Sequence, residues 1–398
     1  MTTFAVENHR NVALVGHGAT GKTTLADLIL HKTGIASRAG SVDDGSSLLD
    51  IDDDEKERKS SLSSAAVHCE HQGKRITLID APGYPDFIGQ AIGALRAVET
   101  AVIVINAHAG IEVNTRRMFG LAGNAGVGRM ILINKCDTDN VDYSQLIDDI
   151  QEMFGATCVP LNVPVGISES FSGVVSTLSA AESVPDGAQA DPADFNATLM
   201  DAIVEADEAL MERFLEGEEL SADEVSAGVS KAIAAGTLIP ILCSSSRNDV
   251  GVSEFMDALA TFALSPTEVS RTAKNAAGEE VTLEPEAGGP AVAQVFKTRI
   301  DPFVAKMSYL RVFSGTLKKD AQVHNVRTDK PLKIGQLFDV QGGKQEPVDQ
   351  AGPGDIVAVI KVEDLATGDT ISGGSDALQL PPIPFPMPMV GLAVEPKS

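Results

Sequence analysis

Cysteine is scarce in this chain, and Cys69, Cys136, Cys158 and Cys243 are scattered through 398 residues without a C-x-x-C pair. That spacing suggests neither a disulfide scaffold nor a zinc site, and it fits free thiols in a cytoplasmic protein. Basic residues are also few, 31 Lys and Arg against 56 Asp and Glu, for a net charge of −25. This balance argues against a whole-surface nucleic-acid binder, DNA included, while leaving room for a local basic site. Long apolar runs are missing. Nothing approaches the roughly 18 residues needed to span a bilayer, and Met1 to Arg10 lacks the apolar centre of a signal sequence, so neither membrane insertion nor secretion is expected. The length leads us to expect two or three domains, each with its own core.

What the chain does carry is Gly16-His17-Gly18-Ala19-Thr20-Gly21-Lys22-Thr23, which fits the phosphate-loop pattern G-x-x-x-x-G-K-[ST] at every specified position. Its flanks suit it. Asn11 to Val15 reads as a short buried strand, and Thr24 to Lys32 has helical spacing of Leu25, Leu28 and Ile29. Polyphosphate is anionic and needs many donors at once. Glycines let successive backbone N–H groups curl inward, the helix start adds the positive end of its dipole, Lys22 neutralises charge, and Thr23 offers a hydroxyl to Mg2+. Gly16 to Thr24 are therefore candidate phosphate-binding residues. The plain alternative for the string alone is a glycine-rich strand-to-helix turn without a ligand.

Ser37 to Ser64 is polar, with Asp52-Asp53-Asp54-Glu55-Lys56-Glu57-Arg58-Lys59 at its centre, and reads as a mobile loop, either functional or a solvated charge run. Strands Ala65 to His71 and Arg75 to Asp80 follow, joined by a Gln72-Gly73-Lys74 turn. His68, Cys69, Glu70 and His71 lie on the first, where alternation sends neighbours to opposite faces and argues for a polar face rather than a metal site. The second strand ends in Asp80-Ala81-Pro82-Gly83. This matches the D-x-x-G segment of P-loop GTPases, in which the Asp holds Mg2+ through water and the Gly amide senses the γ-phosphate. Helix Asp86 to Val98, strand Thr100 to Asn106, helix Val113 to Ala125 and strand Arg129 to Ile133 then alternate as in a doubly wound α/β domain. The last of these leads into Asn134-Lys135-Cys136-Asp137, the N-K-x-D element. An Asp carboxylate accepts from both N1–H and the exocyclic amine of guanine, whereas adenine offers no such donor pair on that edge. Finally, a strand over Thr237 to Cys243 leads to Ser244-Ser245-Ser246 and a helix from Ser253 to Ala263. This puts a serine turn where its backbone amide is expected to be free for guanine O6.

Together these strings resemble the GTPase domain of translation elongation factor G and its divergent elongation factor G-like relatives, from Met1 to about Ser265. The likeness is carried by Gly16 to Thr24, Asp80 to Phe87, Asn134 to Asp137 and Val159 to Gly166. Ser168 to Ala235 resembles the insertion that elongation factor G carries and factors of the Tu type lack. Read from its residues, it is a helical appendage with Leu199, Ile203, Ala206, Leu210 and Phe214 at helical spacing. The resemblance implies that it serves ribosomal stalk proteins and the nucleotide exchange cycle.

Beyond Ser265-Pro266, Thr267 to Pro290 reads as a linker and entry loop. Short strand candidates follow at Val292 to Lys297, Ala305 to Ser314, Gln322 to Val326, Leu332 to Leu337, Asp355 to Val362 and Gly368 to Ile371. Asp301-Pro302-Phe303, Arg311 to Gly315 and Ala351 to Ile356 resemble the second domain of translation GTPases. Leu380 to Met389 is proline-dense, which taken alone suggests an extended linker or a polyproline ligand, while the resemblance implies a boundary there, and Met389 to Lys397 looks like the first strand of elongation factor G's third domain, which does not continue. The expected organisation is an α/β P-loop GTPase domain over 1–266 with a helical or mixed insertion at about 160–236, a linker over 267–290, a small antiparallel β-barrel domain over 291–387, and the start of an absent third domain over 388–398.

The resemblance implies a monomer that binds GTP and GDP with Mg2+ and acts on the ribosome through ribosomal RNA and stalk proteins. Lys22, Asp80, Gly83 and Tyr84 would serve catalysis, and Thr23, Ser61 and Asp80 the metal. Asn134, Lys135, Asp137 and Ser244 to Ser246 would serve the base. Three positions depart from the family. Ala19 stands where elongation factor G has an Asp, Lys59-Ser60-Ser61 where it has Gly-Ile-Thr, and Tyr84 where it has the His that positions attacking water. These put turnover, not binding, in question. Three readings follow: a GTP-hydrolysing translation factor, a GTP-dependent ribosome-binding switch with vestigial hydrolysis, and a P-loop ATP-using enzyme, which Asn134 to Asp137 disfavours.

Overall fold

The computed structural model describes residues 4–178, 184–218, 220–301, 305–374, 377–387 and 391–395. The N-terminal half contains β1 (His9–Gly16), α1 (Lys22–Lys32), α2 (Asp53–Arg58), β2 (Ala65–His71), β3 (Lys74–Asp80), α3 (Ile88–Arg96), β4 (Thr100–Asn106), α4 (Val113–Asn124), β5 (Gly128–Asn134) and α5 (Tyr143–Phe154). Then come β6 (Cys158–Pro160), β7 (Asn162–Val165), β8 (Gly173–Ser176), α6 (Pro192–Glu205), α7 (Glu208–Leu215), α8 (Ala222–Ala235), β9 (Ile239–Cys243) and α9 (Val252–Phe262). Seven strands form one sheet in the order β2-β3-β1-β4-β5-β9-β6, parallel except for β2.

Every residue of β1 is buried because helices cover both faces of the sheet. Its apolar residues divide by strand alternation. Ala13 and Val15 belong to the apolar cluster that includes α3, α4 and α5 on one side, while Val12 and Leu14 belong to the one that includes α1, α6, α8 and α9 on the other. The insertion therefore packs into the main core. Its helices are not one continuous run: Asp207 stops the helical spacing and caps α7 by accepting from Ala209 N at 3.0 Å, and Phe214 is 37% exposed.

The loop expected over Ser37 to Ser64 is packed in its second half. Leu49 joins the core, and α2 lies at its centre. The reason is Glu55, whose buried carboxylate accepts from Ile51 N and Asp52 N with one oxygen and from Leu62 N and Ser63 N with the other, at 2.9–3.0 Å. A side chain read as part of a solvated charge run is the staple of the loop.

The linker expected over 267–290 contains a hairpin, β10 (Thr272–Lys274) and β11 (Glu280–Thr282), whose Ala273 packs with Leu283, Val292 and Phe313. Beyond it lie β12 (Val292–Asp301), β13 (Ala305–Ser314), β14 (Leu317–Lys318), β15 (Gln322–Asn325), β16 (Lys330–Lys333), β17 (Leu337–Gln341), β18 (Lys344–Val348), β19 (Gln350–Ala351), β20 (Ile356–Ile360) and β21 (Thr370–Ser372). Eight of these form an antiparallel sheet in the order β16-β15-β21-β12-β13-β20-β17-β18. It curls round one core, since Val323 of β15 and Leu337 of β17 share a cluster. The single strand expected over Leu332 to Leu337 is two strands that lie far apart in the sheet order. Residues 302–304, 388–390 and 396–398, and with them parts of the Asp301 to Phe303 string and of the expected third-domain strand, lie outside the described residues, and 391–395 form no strand.

The two units meet through a continuous apolar cluster and a buried ion pair. Phe296, Met307, Tyr309, Ala358 and Ile383 join the cluster beneath α3. Beside it Arg311 Nη2 donates to Glu99 Oε1 at 2.7 Å, both fully buried, and Asn11 Nδ2 of β1 donates to Glu99 Oε2 at 2.9 Å. Removing Arg311 leaves the buried Glu99 charge with only Asn11 and the more distant Arg271, 4.0 Å away, to meet it. Arg311→Ala should therefore lower stability to urea by about 3–5 kcal/mol. Arg311→Met together with Glu99→Gln should recover most of the loss, and an equal loss in both proteins would rule out the unpaired charge as its source.

Candidate functional site

Four loops converge at the carboxyl ends of β1, β3, β5 and β9, the edge where parallel α/β sheets place their ligands. The loop after β1 curls through Ala19 (φ 59°) and Gly21 (φ 91°) before α1 begins. Ala19 holds a left-handed conformation that costs an L-residue roughly 1–2 kcal/mol, so the loop shape is imposed by its surroundings. At Gly21 a Cβ would sit 2.5 Å from Asn134 Nδ2. Lys22 is buried and its Nζ donates to His17 O at 2.6 Å. Burial draws its ammonium down to about 8, against the charges of Asp80 and Glu112.

Thr23 Oγ1 donates to Asp80 Oδ2 at 2.6 Å. Burial pushes the Asp80 carboxyl up to about 7, and the Lys22 charge and the Thr23 hydroxyl pull it back. The other Asp80 oxygen is buried without a hydrogen-bond partner. Ser61 comes from the α2 loop to complete this corner: its hydroxyl lies 3.2 Å from Thr23 Oγ1 and donates to Asp50 Oδ1 at 2.8 Å. Buried Asp50 is a member the sequence reading missed, one acid among many in a charged stretch.

At the other end Asn134 knots the loops together. Its Nδ2 donates to Thr20 O at 2.9 Å, and its Oδ1 accepts from Ser244 Oγ, Ser246 Oγ and Ser246 N at 2.9–3.2 Å. The expectation of a free amide in the serine triplet needs correction: Ser244 N donates to Ile133 O and Ser245 N to Val250 O, both at 2.8 Å, and Ser246 N is held by Asn134. Asp137 Oδ1 is buried with no hydrogen-bond partner, and Asp137 is not among the residues that line the cleft. The cleft between the two ends is about 640 Å³ and is lined by Gly18 to Thr24 except Thr20, by Ser61, Gly83, Tyr84, Lys135 and Ser246, and by Arg247, which the sequence did not single out. Gly16, His17 and Thr20 support it from behind: Gly16 turns at φ 146° off β1, and His17 and Thr20 supply the carbonyls bound by Lys22 and Asn134.

The family model of the elongation factor Tu GTP binding domain matches residues 7–265, and that of elongation factor G domain 2 matches residues 290–374. The chain belongs to the elongation factor Tu GTP-binding family. Its pair of domains makes it an elongation factor G-like member. A crystal structure from Thermus thermophilus is similar at TM-score 0.80 and 29% identity, covering 93% of this chain and 55% of that one, so the chain spans about half the length of that relative.

Within this GTPase family the position after the D-x-x-G glycine is Tyr84 here, and its geometry is distinctive. The ring lies against Gly18 of the phosphate loop, so close that a Cβ on Gly18 would come within 3.0 Å of Tyr84 Cζ. Asn114 Nδ2 of α4 donates to Gly83 O at 2.6 Å and so fixes the backbone just before the ring. The phenol has one hydroxyl with which to orient water. Phosphoryl transfer depends chiefly on alignment and electrostatics, so Tyr84→His should raise single-turnover GTP hydrolysis by about one to three powers of ten, with nucleotide affinity nearly unchanged. If His gives no rise and Tyr84→Phe no fall, with or without ribosomes, Tyr84 has only a packing role.

Proposed function

We propose that this chain binds GTP and GDP with Mg2+ in the cleft, hydrolyses GTP slowly, and belongs to a factor that acts on the ribosome. The observation that carries the guanine assignment is the N-K-x-D element at the end of β5, whose Asn134 is tied to the phosphate loop and to the serine turn and whose Asn134 and Lys135 line the cleft. A guanine offers the Asp137 carboxylate two donors, and adenine does not. In this reading Lys22 and the amides of Gly18 to Thr24 bind phosphates, while Thr23, Ser61 and Asp80 would hold Mg2+. These are hard oxygen donors of the kind Mg2+ takes, and such an ion commonly shares its shell with substrate phosphates. Bound Mg2+ would neutralise phosphate charge. The chain's own work is alignment: Gly83 would present its amide and Tyr84 its hydroxyl at the γ-phosphate end.

The domain boundaries proposed are 1–266, 267–290, 291–387 and 388–398, adjusted by the hairpin inside the second span. We also propose a monomer, a cytoplasmic setting, and contacts with ribosomal RNA and stalk proteins, the latter through the α6–α8 insertion. Among the described residues no helix is long and apolar enough to cross a membrane. The second reading, a ribosome-binding switch with weak hydrolysis, is favoured by Tyr84 and Ala19, which bring no charge to the γ-phosphate end.

Asp137→Asn tests the base assignment. It should weaken GDP and GTP by about 10²-fold or more and shift preference to xanthine nucleotides, since a site built to hydrogen-bond a group rejects its absence strongly. Unchanged guanine binding without a gain for xanthine would overturn the reading.

A further inference from the structure

The loop that brings Ser61 to the cleft is held from three directions. From within, Glu55 binds both of its ends, as described above. From α1, Asp27 Oδ1 accepts from Leu48 N at 3.0 Å. The third hold comes from the second domain. A register shift at Phe296 interrupts β12 where it pairs with β13, and beyond it Lys297 and Arg299 both reach the loop. Arg299 Nη2 pairs with Asp52 at 2.7 Å, and Asp52 is the N-cap of α2. The same nitrogen has Asp301 at 4.0 Å. Lys297 is buried, donates from Nζ to Ser64 O, and lies 5.2 Å from the Tyr309 ring centroid.

The β17–β18 turn adds backbone contacts. Gly342 N donates to Ala66 O at 2.9 Å, and Gly342 (φ 59°) lies so close to the loop that a Cβ would be 2.3 Å from Leu48 O. A buried ammonium is costly, and this one spends its hydrogen bond on the backbone carbonyl that ends the Ser61 loop. An apolar residue would cement two domains equally well.

We propose that Lys297 and Arg299 are positioning residues for Ser61: through Ser64 O and Asp52 they hold residues 48–64 over the cleft, so the second domain contributes to the order of the metal-side loop. The path is contiguous, from Arg299 to Asp52 and α2, from Glu55 to Leu62 and Ser63, and from Ser61 to Thr23 and Asp80. The functional part rests on the reading of Ser61 as a Mg2+ ligand.

The test uses the whole chain with Arg299→Gln, Arg299→Lys and Lys297→Met, reading amide exchange and the Mg2+ dependence of binding a non-hydrolysable GTP analogue. In Arg299→Gln, exchange over residues 50–63 should speed up roughly five- to tenfold without nucleotide and slow again with Mg2+ and the analogue. The Mg2+ needed for half-maximal analogue binding should rise several-fold, GDP affinity should stay within about twofold, and Arg299→Lys should restore part of each effect. Lys297→Met should act in the same sense, and if it does not fold, the Arg299 variants decide alone. Unchanged exchange over 50–63 in Arg299→Gln overturns the proposal, even if the domain interface is weakened. Should exchange rise while Mg2+ dependence stays fixed in both Arg299→Gln and Ser61→Ala, the loop is held as proposed and the metal role of Ser61 is what fails.

Discussion

The arrangement of the two domains depends on one buried charge pair, Glu99 with Arg311. Each ion costs several kcal/mol to remove from water, and that cost is offset only while the geometry holds. Glu99 leads into β4, Arg311 lies on β13, and Asn11 at the start of β1 binds the same carboxylate. Rotation of the second domain would break all of these contacts and open the apolar cluster under α3. The second domain is thus fixed against the strand that feeds the phosphate loop. From there β12 and the β17–β18 turn can only lie where they do, along residues 48–66. The same face carries His68, whose Nε2 lies 2.9 Å from Asp339, and Arg75, which pairs with that carboxylate at 2.9 Å. Side chains that look like a polar strand edge in the sequence are the other half of the domain contact.

The parallel strands were legible because each is a short apolar run buried on both faces, and the motifs were legible because they sit at strand ends. Helix α5 was equally readable, with Tyr143, Leu146, Ile147 and Ile150 buried at helical spacing, yet it carries no motif and drew no attention. What the sequence hid follows a rule. Lys297 and Arg311 are charged residues that composition assigns to solvent, and they are buried because partners distant in sequence, Ser64 and Glu99, satisfy them, whereas Glu55 and Asp50 are held by partners within the same loop. Local pattern contains no record of such partners. The second domain was blurred for a related reason: Ile334 is apolar and fully buried but lies in a connection, so the run from Leu332 to Leu337 looked like one strand.

The site itself divides in the same way. At the proposed base end each expected residue type is present, and Asn134 makes the end rigid by joining three loops. The three departures, Ala19, Ser61 and Tyr84, all fall at the proposed phosphate end. There polar groups bond one another, Lys22 donating to His17 O and Thr23 to Asp80 Oδ2, while Asp80 Oδ1 is left without a partner. A phosphate or ion entering this end exchanges those bonds for new ones, and a typical exchange nets only about 0.5–1.5 kcal/mol per hydrogen bond. Affinity must then come from many amides and from charge, which the departures leave intact. Alignment at the γ-phosphate depends on few groups, and two of the three substitutions, at Ala19 and Tyr84, lack the charge or imidazole found in the resembled family. In the proposed function, nucleotide binding and turnover are therefore separable, the first resting on the loops of the cleft and the second on what holds Ser61 and Tyr84 in place.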